Sequence, residues 1–406
     1  METKSVRVYG YRWLIMGAFM LLNVIIQIHW VALASITGEA AEFYGVSPLS
    51  IGFLSMIYML VYIVMCIPAS YVIDTYGLRA GIGTGALLAG CFGFLKGLYA
   101  ADYTMVTICQ LGLAVAQPFI LNAYTKLAVR WFPVGERATV SGLASLAQYL
   151  GIIVALGVSP FLFTAKGMEG MLMIYGTITL AGAALFLVVI RERPPTPPGA
   201  DESEERYPFF TGLRHILGLR DMRLAIVLFF IGLGIFNAVT TWIEQILAPR
   251  GITPEQAGII GALMMVGGIL GASILPVLSD RTRKRRPFLV GAMIAMVPGL
   301  LGLAFGTQFW LILLSSFVLG FFIMSAGPIG FQYSAEVSHP APESISQGVL
   351  LLAGQISGVI FILGMDAFRS ADTGSMTPFL VLFMALVVVN AFLGLRLRES
   401  SIGGTA

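Results

Sequence analysis

Charged side chains are scarce in this sequence: aspartate, glutamate, lysine and arginine make up 11% of its 406 residues, whereas 57% are hydrophobic. A soluble globule uses about a quarter of its residues as charged ones to cover its surface. The mean hydropathy of +0.88 agrees with this deficit. The composition therefore excludes an ordinary soluble domain and predicts a protein whose solvent is lipid.

Cysteine and histidine are also rare, with three of each. Cys66, Cys91 and Cys109 lie in apolar stretches without CxxC or metal-ligand spacing, so we interpret them as packing residues. The sequence has no phosphate-binding loop, nucleophile elbow or metal-ligand cluster. We therefore predict neither an enzyme nor a cofactor. The small net charge of +3, with scattered basic residues, predicts no nucleic-acid partner.

Long apolar runs are abundant instead. A bilayer core about 30 Å thick needs about 20 apolar residues for one helical crossing, and a window of that length finds six runs on each side of a polar linker. The first group covers 11–37, 49–73, 80–100, 103–130, 138–163 and 170–190. The second group covers 222–248, 256–279, 287–305, 309–333, 343–367 and 377–396. The N-terminus runs into the first span without a small-residue cleavage site, which predicts no cleaved signal.

The linker is proline-rich and then acidic. Prolines 194, 195, 197 and 198 disfavour helix, and the run Asp201–Glu205 disfavours core packing. We therefore predict an N-terminal six-helix bundle over 1–190, a cytoplasmic linker over 191–221 and a C-terminal six-helix bundle over 222–406.

Lysine and arginine are distributed unequally over the loops. If the N-terminus is cytoplasmic, most basic loop residues are cytoplasmic too, and only Lys166, Arg250 and Arg369 lie on the opposite side. The positive-inside rule then places both termini and the linker in the cytoplasm. We expect an integral, multi-pass protein of the plasma or inner membrane.

The loop between the second and third spans carries a motif, Asp74-Thr-Tyr-Gly-Leu-Arg79. With twelve spans and a cytoplasmic central loop, it resembles the major facilitator superfamily, although Ser70 and Thr75 replace a glycine and an arginine of the usual pattern. The resemblance implies an all-α polytopic membrane fold of two six-helix bundles that rock to expose a mid-membrane cavity alternately to either side. By analogy with the superfamily we expect a monomer.

The same loop predicts a cytoplasmic gate, because a carboxylate at a helix end, a glycine turn and a cation can clamp two helix ends together. An ordinary positively charged loop is the alternative. Asp280 ends the eighth span as Asp74 ends the second, which indicates a duplicated unit. The residues predicted for the gate are Asp74, Gly77, Arg79, Arg137, Asp280, Arg281 and Glu336.

A closer resemblance covers most of both halves. The stretches FYGV at 43–46, LSMIYMLVY at 54–62, AQPFIL at 116–121 and AEV at 335–337 are similar to the feline leukaemia virus subgroup C receptor family of transporters. That family is associated with choline, ethanolamine and haem. The resemblance implies a small organic cation or amine as substrate.

A polar stripe on the first span is the main site candidate. Asn23, Gln27, Trp30, Ala34 and Thr37 recur at spacings of four, three, four and three, which places them on one helical face. Such a face is costly in lipid, so we predict that it lines the cavity, with hydrogen bonding between helices as the alternative.

The resemblance gives Trp30 as the ring that contacts the ammonium group and Gln355 as a cavity glutamine. This chain departs from the family pattern at two positions. The resemblance implies a tyrosine where this chain has Asn237 and a glutamine where it has Tyr149. The predicted substrate-binding residues are Asn23, Gln27, Trp30, Gln117, Tyr124, Tyr149, Asn237, Thr241 and Gln355.

Three further residues are candidates for charge or proton coupling: His29, Glu244 and Lys126. His29 titrates near neutral pH when unperturbed, but a structural histidine is the alternative. Glu244 could hold a cation or a proton, or stand in water at the end of its span. Lys126 could attract an anion, or snorkel to the interface as we expect of Lys96.

These patterns predict a secondary-active or facilitative transporter of a small organic amine such as choline or ethanolamine. A proton or another ion as coupling partner is left open. The first alternative is a proton-coupled transporter of a small carboxylate, and the second is a receptor or sensor on the same fold.

Overall fold

The structure is a computed structural model, and it describes residues 9–133, 136–196, 209–341 and 343–399. Its regular structure in those ranges is helical. The helices are α1 Tyr11–Val31, α2 Thr37–Tyr44, α3 Pro48–Tyr76, α4 Leu78–Leu98, α5 Tyr103–Leu121, α6 Tyr124–Trp131, α7 Arg137–Val189, α8 Phe209–Gly218, α9 Arg220–Thr241, α10 Ile243–Leu247, α11 Pro254–Thr282, α12 Arg286–Ala295, α13 Val297–Phe305, α14 Phe309–Ser338, α15 Glu343–Ala367 and α16 Thr377–Gly394.

Eleven helical stretches in the described ranges are long and apolar enough to cross a membrane. One of them, Thr139–Val189, has 51 residues, which would be about 75 Å long if it were straight, more than twice a bilayer core. Gly167 interrupts it with a φ of 68°. The stretch therefore holds two crossings, and the twelve predicted spans are confirmed.

The structure divides several predicted spans. The first ends at Val31 rather than at residue 37, and the short helix α2 follows it. The fourth is broken between α5 and α6 at Asn122, whose side chain donates to Cys66 O and Ser70 Oγ and accepts from the Tyr62 hydroxyl. The seventh is broken at Trp242 between α9 and α10. At Asn122 and Trp242, hydrogen bonds to partners distant in sequence accompany a break that the hydropathy pattern does not show.

The chain folds into two compact units. The first comprises Met1–Leu33 and Glu39–Ser203, and the second comprises Ala34–Gly38 and Glu204–Ala406. The predicted linker is not wholly irregular, because its last part forms α8, whose Ile216 packs with Met222, Ala341 and Ile345. Residues 197–208, with two of the prolines and the acidic run, lie outside the described ranges.

Candidate functional site

The polar stripe of α1 is buried in the first unit. Asn23, Gln27 and Trp30 are all buried, and Trp30 is 8% exposed. Asn23 Nδ2 donates to Phe19 O one turn earlier. The Asn23 Oδ1, Gln27 Oε1 and Trp30 Nε1 atoms are buried and have no hydrogen-bond partner within the described part of the chain. Buried polar groups are normally paired, so these atoms have capacity for a ligand or water.

The α3 helix lies beside this stripe. Ser55 Oγ donates to Trp30 O over 3.1 Å, and Tyr58 follows one turn later with its hydroxyl buried and unpaired among the described residues. On the α7 side, a β-carbon on Gly151 would lie 2.4 Å from Val24 O and 2.7 Å from Gln27 Cβ. Glycine at 151 is therefore required for this close approach. Tyr58 was missed from the sequence, although its spacing from Ser55 places it on the same face of α3.

The second unit carries its own polar set on α9 and α15. Asn237 is buried, and its Nδ2 donates to Gly354 O over 3.2 Å. Ser357 Oγ donates to the same carbonyl. The hydroxyl of Thr241 is buried without a partner in the described ranges, as is that of Thr240. Gln355 is half-buried. Asn237 thus joins α9 to α15 and has its amide orientation fixed.

The remaining predicted substrate residues lie in the first unit. Gln117 on α5 is buried, while Tyr124 at the start of α6 and Tyr149 on α7 are half-buried. Their roles as substrate contacts stay predictions.

Each of the three coupling candidates already has protein partners. His29 Nε2 lies 2.8 Å from Thr179 Oγ1. Because the Thr179 hydroxyl donates to Tyr175 O, its oxygen accepts from the imidazole. Lys126 Nζ donates to Ile73 O and Asp74 O, at 2.5 and 3.0 Å, and lies 3.7 Å from Asp74 Oδ1. Lys126 therefore binds the C-terminal end of α3.

Glu244 is buried, with 5% of its surface exposed, so the alternative that it stands in water is wrong. It lies beyond the end of the spanning helix α9, and its Oε2 accepts from Gln245 Nε2 over 2.6 Å and from the Gly38 backbone N–H over 3.1 Å. Arg369 Nη2 donates to Gln245 Oε1. Burial raises the pKa of Glu244, and the hydrogen bonds from Gln245 and Gly38 and the charge of Arg369 offset part of that shift.

The predicted gate residues are divided between the two units. In the first, Gly77 adopts a φ of 95° between α3 and α4. The Glu192 carboxylate lies against it and accepts from the Arg79 backbone N–H over 2.9 Å. Arg137 Nε donates weakly to Phe132 O. Glu192, which the sequence did not indicate, thus contacts two of the predicted gate residues, Gly77 and Arg79.

In the second unit the central cation is Arg285, also missed from the sequence. Its guanidinium donates to Glu336 Oε1, over 3.0 Å from Nη2, and to Asp280 Oδ1. Arg281 is exposed. The sequence has five basic residues between 281 and 286, and only the fold shows that Arg285 points back to Glu336. Glu336, one of the residues predicted for the gate, is thus paired with an arginine.

The comparisons with known proteins match this fold. A model of the Major Facilitator Superfamily matches residues 9–362. The chain belongs to this superfamily. Among solved structures, a bacterial homologue of the human lysosomal transporter Spinster, in an inward-facing and unoccupied conformation, superposes with a TM-score of 0.74 over 98% of this chain and 100% of that one, at 17% identity.

Several named proteins are similar to this chain along nearly its whole length. Solute carrier family 49 member A3 of Danio rerio is 32% identical over 377 residues, covering 89% of this chain and 80% of the relative. The choline/ethanolamine transporter FLVCR1 of Mus musculus is 28% identical over 429 residues, covering 96% and 76%. Human FLVCR2, also named a choline/ethanolamine transporter, is 26% identical and covers 98% and 80%. The resemblance to the feline leukaemia virus subgroup C receptor family is confirmed.

Proposed function

We propose that this superfamily transporter moves a small organic amine, choline or ethanolamine, by alternating access. The supporting observation is the set of buried atoms near Trp30 in the first unit that have no hydrogen-bond partner among the described residues. An indole face attracts an ammonium group by about 0.5–2 kcal/mol. Amide and hydroxyl oxygens nearby can accept from an ammonium N–H or from the alcohol that both amines carry. Two relatives named as choline/ethanolamine transporters support the same class.

The rival carboxylate substrate has weaker support. Its attracting cation, Lys126, donates two hydrogen bonds to the end of α3 and lies near Asp74, so its charge is already partly compensated. Asn237 bears on the choice between the two amines. An amide at the position where the family resemblance implies a ring removes one cation–π contact, which a quaternary ammonium needs more than a primary one that can still donate N–H bonds.

Uptake of radiolabelled choline and ethanolamine into proteoliposomes tests the proposal. We expect Trp30→Ala to raise the KM about 2- to 30-fold, the range set by loss of one cation–π contact, and Trp30→Phe to raise it less. The matched control is Trp310→Ala, because Trp310 is 75% exposed and its loss should leave the KM unchanged.

The same vesicles separate the alternatives. Uptake of small carboxylates that is lost in Lys126→Ala but not in Trp30→Ala would establish the anion transporter and overturn the amine proposal. Saturable amine binding to the purified protein without flux into sealed vesicles would instead indicate a receptor or sensor.

A further inference from the structure

A pocket lies at the ends of three helices in the first unit, separate from the α1 stripe. Its volume is about 560 Å³, and its lining residues are Tyr9, Tyr11, Trp131, Arg191, Arg193, Pro194 and Pro195. Tyr11 begins α1, Trp131 ends α6, and Arg191 follows the end of α7 at Val189. The ends of spanning helices stand at the level of lipid headgroups, where tryptophan and tyrosine are enriched.

The walls of this pocket are fixed by hydrogen bonds that do not use the arginine side chains. The Tyr11 hydroxyl donates to Val189 O over 2.6 Å, and the Trp131 indole N–H donates to Arg191 O over 3.3 Å. The Arg191 guanidinium lies over the Tyr11 ring, 4.9 Å from its centroid. The backbone of the residues that enter the linker is thus tied to α1 and α6, with one guanidinium held against an aromatic wall.

The two guanidiniums of the pocket have no acidic partner among the described residues, and both side chains are exposed. The nearby carboxylates are engaged elsewhere: Glu136 pairs with Arg12 over 3.1 Å, and Glu192 accepts from the Arg79 backbone N–H. An arginine pair beside aromatic rings, with no acidic partner in the described part of the chain, is suited to a phosphate group, because the planar guanidinium donates two parallel hydrogen bonds to phosphate oxygens.

We propose that this pocket binds the phosphodiester headgroup of an anionic phospholipid, with Arg191 and Arg193 as its ligands and Trp131 and Tyr11 as positioning residues. A lipid is favoured over a soluble phosphate ester because the pocket adjoins the ends of spanning helices, where the headgroups of the bilayer are already concentrated. The site is independent of the transported substrate. Its occupancy would hold the start of the linker against the first unit.

Lipid retention measured by native mass spectrometry tests this site. The purified full-length protein is equilibrated with equal amounts of phosphatidylcholine and phosphatidylglycerol, and the ratio of the two lipids retained is recorded. We expect phosphatidylglycerol to be preferred. The double variant Arg191→Gln/Arg193→Gln should reduce that preference by roughly 25-fold, since each basic residue near an anionic leaflet contributes about fivefold.

The matched control is Arg220→Gln/Arg223→Gln, which neutralises two exposed arginines at the start of α9 and should change the ratio less than twofold. Arg191→Lys/Arg193→Lys keeps the charge but loses the paired donors, so it should retain an intermediate preference. It also reports on the site if the glutamine variant folds poorly.

Two results would overturn the proposal. One is an equal loss of preference in the α9 control, which would show a general effect of surface charge. The other is a combined finding: millimolar glycerol phosphate displaces phosphatidylglycerol, and the protein retains phosphatidylglycerol and phosphatidylcholine equally. That result would make a soluble phosphate ester the occupant.

Discussion

Lys96 illustrates how far a single residue departs from expectation in this fold. We expected its amine to snorkel to the interface, and this expectation is wrong, because Lys96 is 1% exposed. Its Nζ donates to Gln110 Oε1 over 2.6 Å, while Gln110 Nε2 donates to His29 O and Leu54 O. The glutamine amide is therefore oriented by two backbone carbonyls and presents its oxygen to the lysine. The Gln110 side chain of α5 therefore joins α1, α3 and α4.

We expect Lys96→Met to lower the free energy of unfolding by about 1–3 kcal/mol, because it leaves Gln110 Oε1 buried and unpaired. Unfolding in mixed micelles measures the change. Lys166→Met is the matched control: Lys166 is exposed, so its loss should stay within about 0.5 kcal/mol. The double variant with Gln110→Leu should be less destabilised than the sum of the singles, by about 0.5–3 kcal/mol of coupling. Strict additivity would contradict the contact.

At the scale of elements, hydropathy was sufficient to predict the spans, because lipid leaves a long apolar run no alternative to a helix. Hydropathy did not predict where the helices are interrupted. The break at Asn122 depends on three partners on α3, more than fifty residues away in sequence, and the break at Trp242 accompanies an indole N–H bonded to Ile362 O. No local pattern contains these partners.

The candidate site, too, could be predicted only in part from the sequence. The face of α1 follows from helical spacing alone, whereas Tyr58 and Gln110 required the packing of α3 and α5 against α1. Arg285 could not be chosen among its basic neighbours, because charge composition is identical whichever of them faces Glu336. Sequence periodicity predicts which face of a helix is polar; the neighbouring helix decides which residue is used.

The turn between α3 and α4 yields an element-scale prediction. Gly77 has a φ of 95° and a ψ of 178°, a conformation essentially confined to glycine. A β-carbon there would also lie 2.4 Å from Glu192 Oε1, so the carboxylate would have to leave the Arg79 N–H. We expect Gly77→Ala to cost about 1–3 kcal/mol of stability.

Thermal unfolding of matched variants checks this prediction. Gly142→Ala serves as the control, because Gly142 lies within helix α7 and nothing is within 4 Å of an added β-carbon; it should be neutral or slightly stabilising. Glu192→Ala should destabilise the natural chain more than the Gly77→Ala background, where the hydrogen bond is already lost. Equal stability of the two glycine variants would refute the strain.

For the whole molecule, the two units contain one pair of corresponding helices, as a duplicated unit would imply. The helices α3 and α11 each have 29 residues, and each begins with proline after a Ser47 or Thr253 cap. Asp74 and Asp280 therefore occupy the same position in their helices. Their partners differ, since Asp74 lies near Lys126 of α6 and Asp280 pairs with Arg285. Both units therefore have a carboxylate at the end of this helix, whereas the cation near it comes from a different position in each unit.

The segment Ala34–Gly38 gives a prediction for the molecule as a whole, because it belongs to the second unit although α1 before it belongs to the first. Glu244 accepts the Gly38 N–H within that second unit. Its pKa is raised by burial, so the folded chain keeps a proton on Glu244 at a pH where the unfolded chain has lost it. Folding then takes up a proton, and stability must fall as pH rises from the ordinary glutamate pKa of about 4.3 towards the raised value.

Glu244→Gln cannot titrate, yet it retains an amide oxygen as acceptor for Gly38. We compare the unfolding midpoints of the natural chain and this variant. The natural chain should gain most relative to the variant near pH 4, and this advantage should decline as pH rises. The reason is that only the natural chain must bury a carboxylate above that pH. Other titrating groups are common to both proteins and cancel in the difference. A flat difference, or one that grows with pH, would mean that Gln245, Gly38 and Arg369 stabilise the ionised carboxylate in full, and that the Ala34–Gly38 segment is held by a charge rather than by a proton-bearing acid.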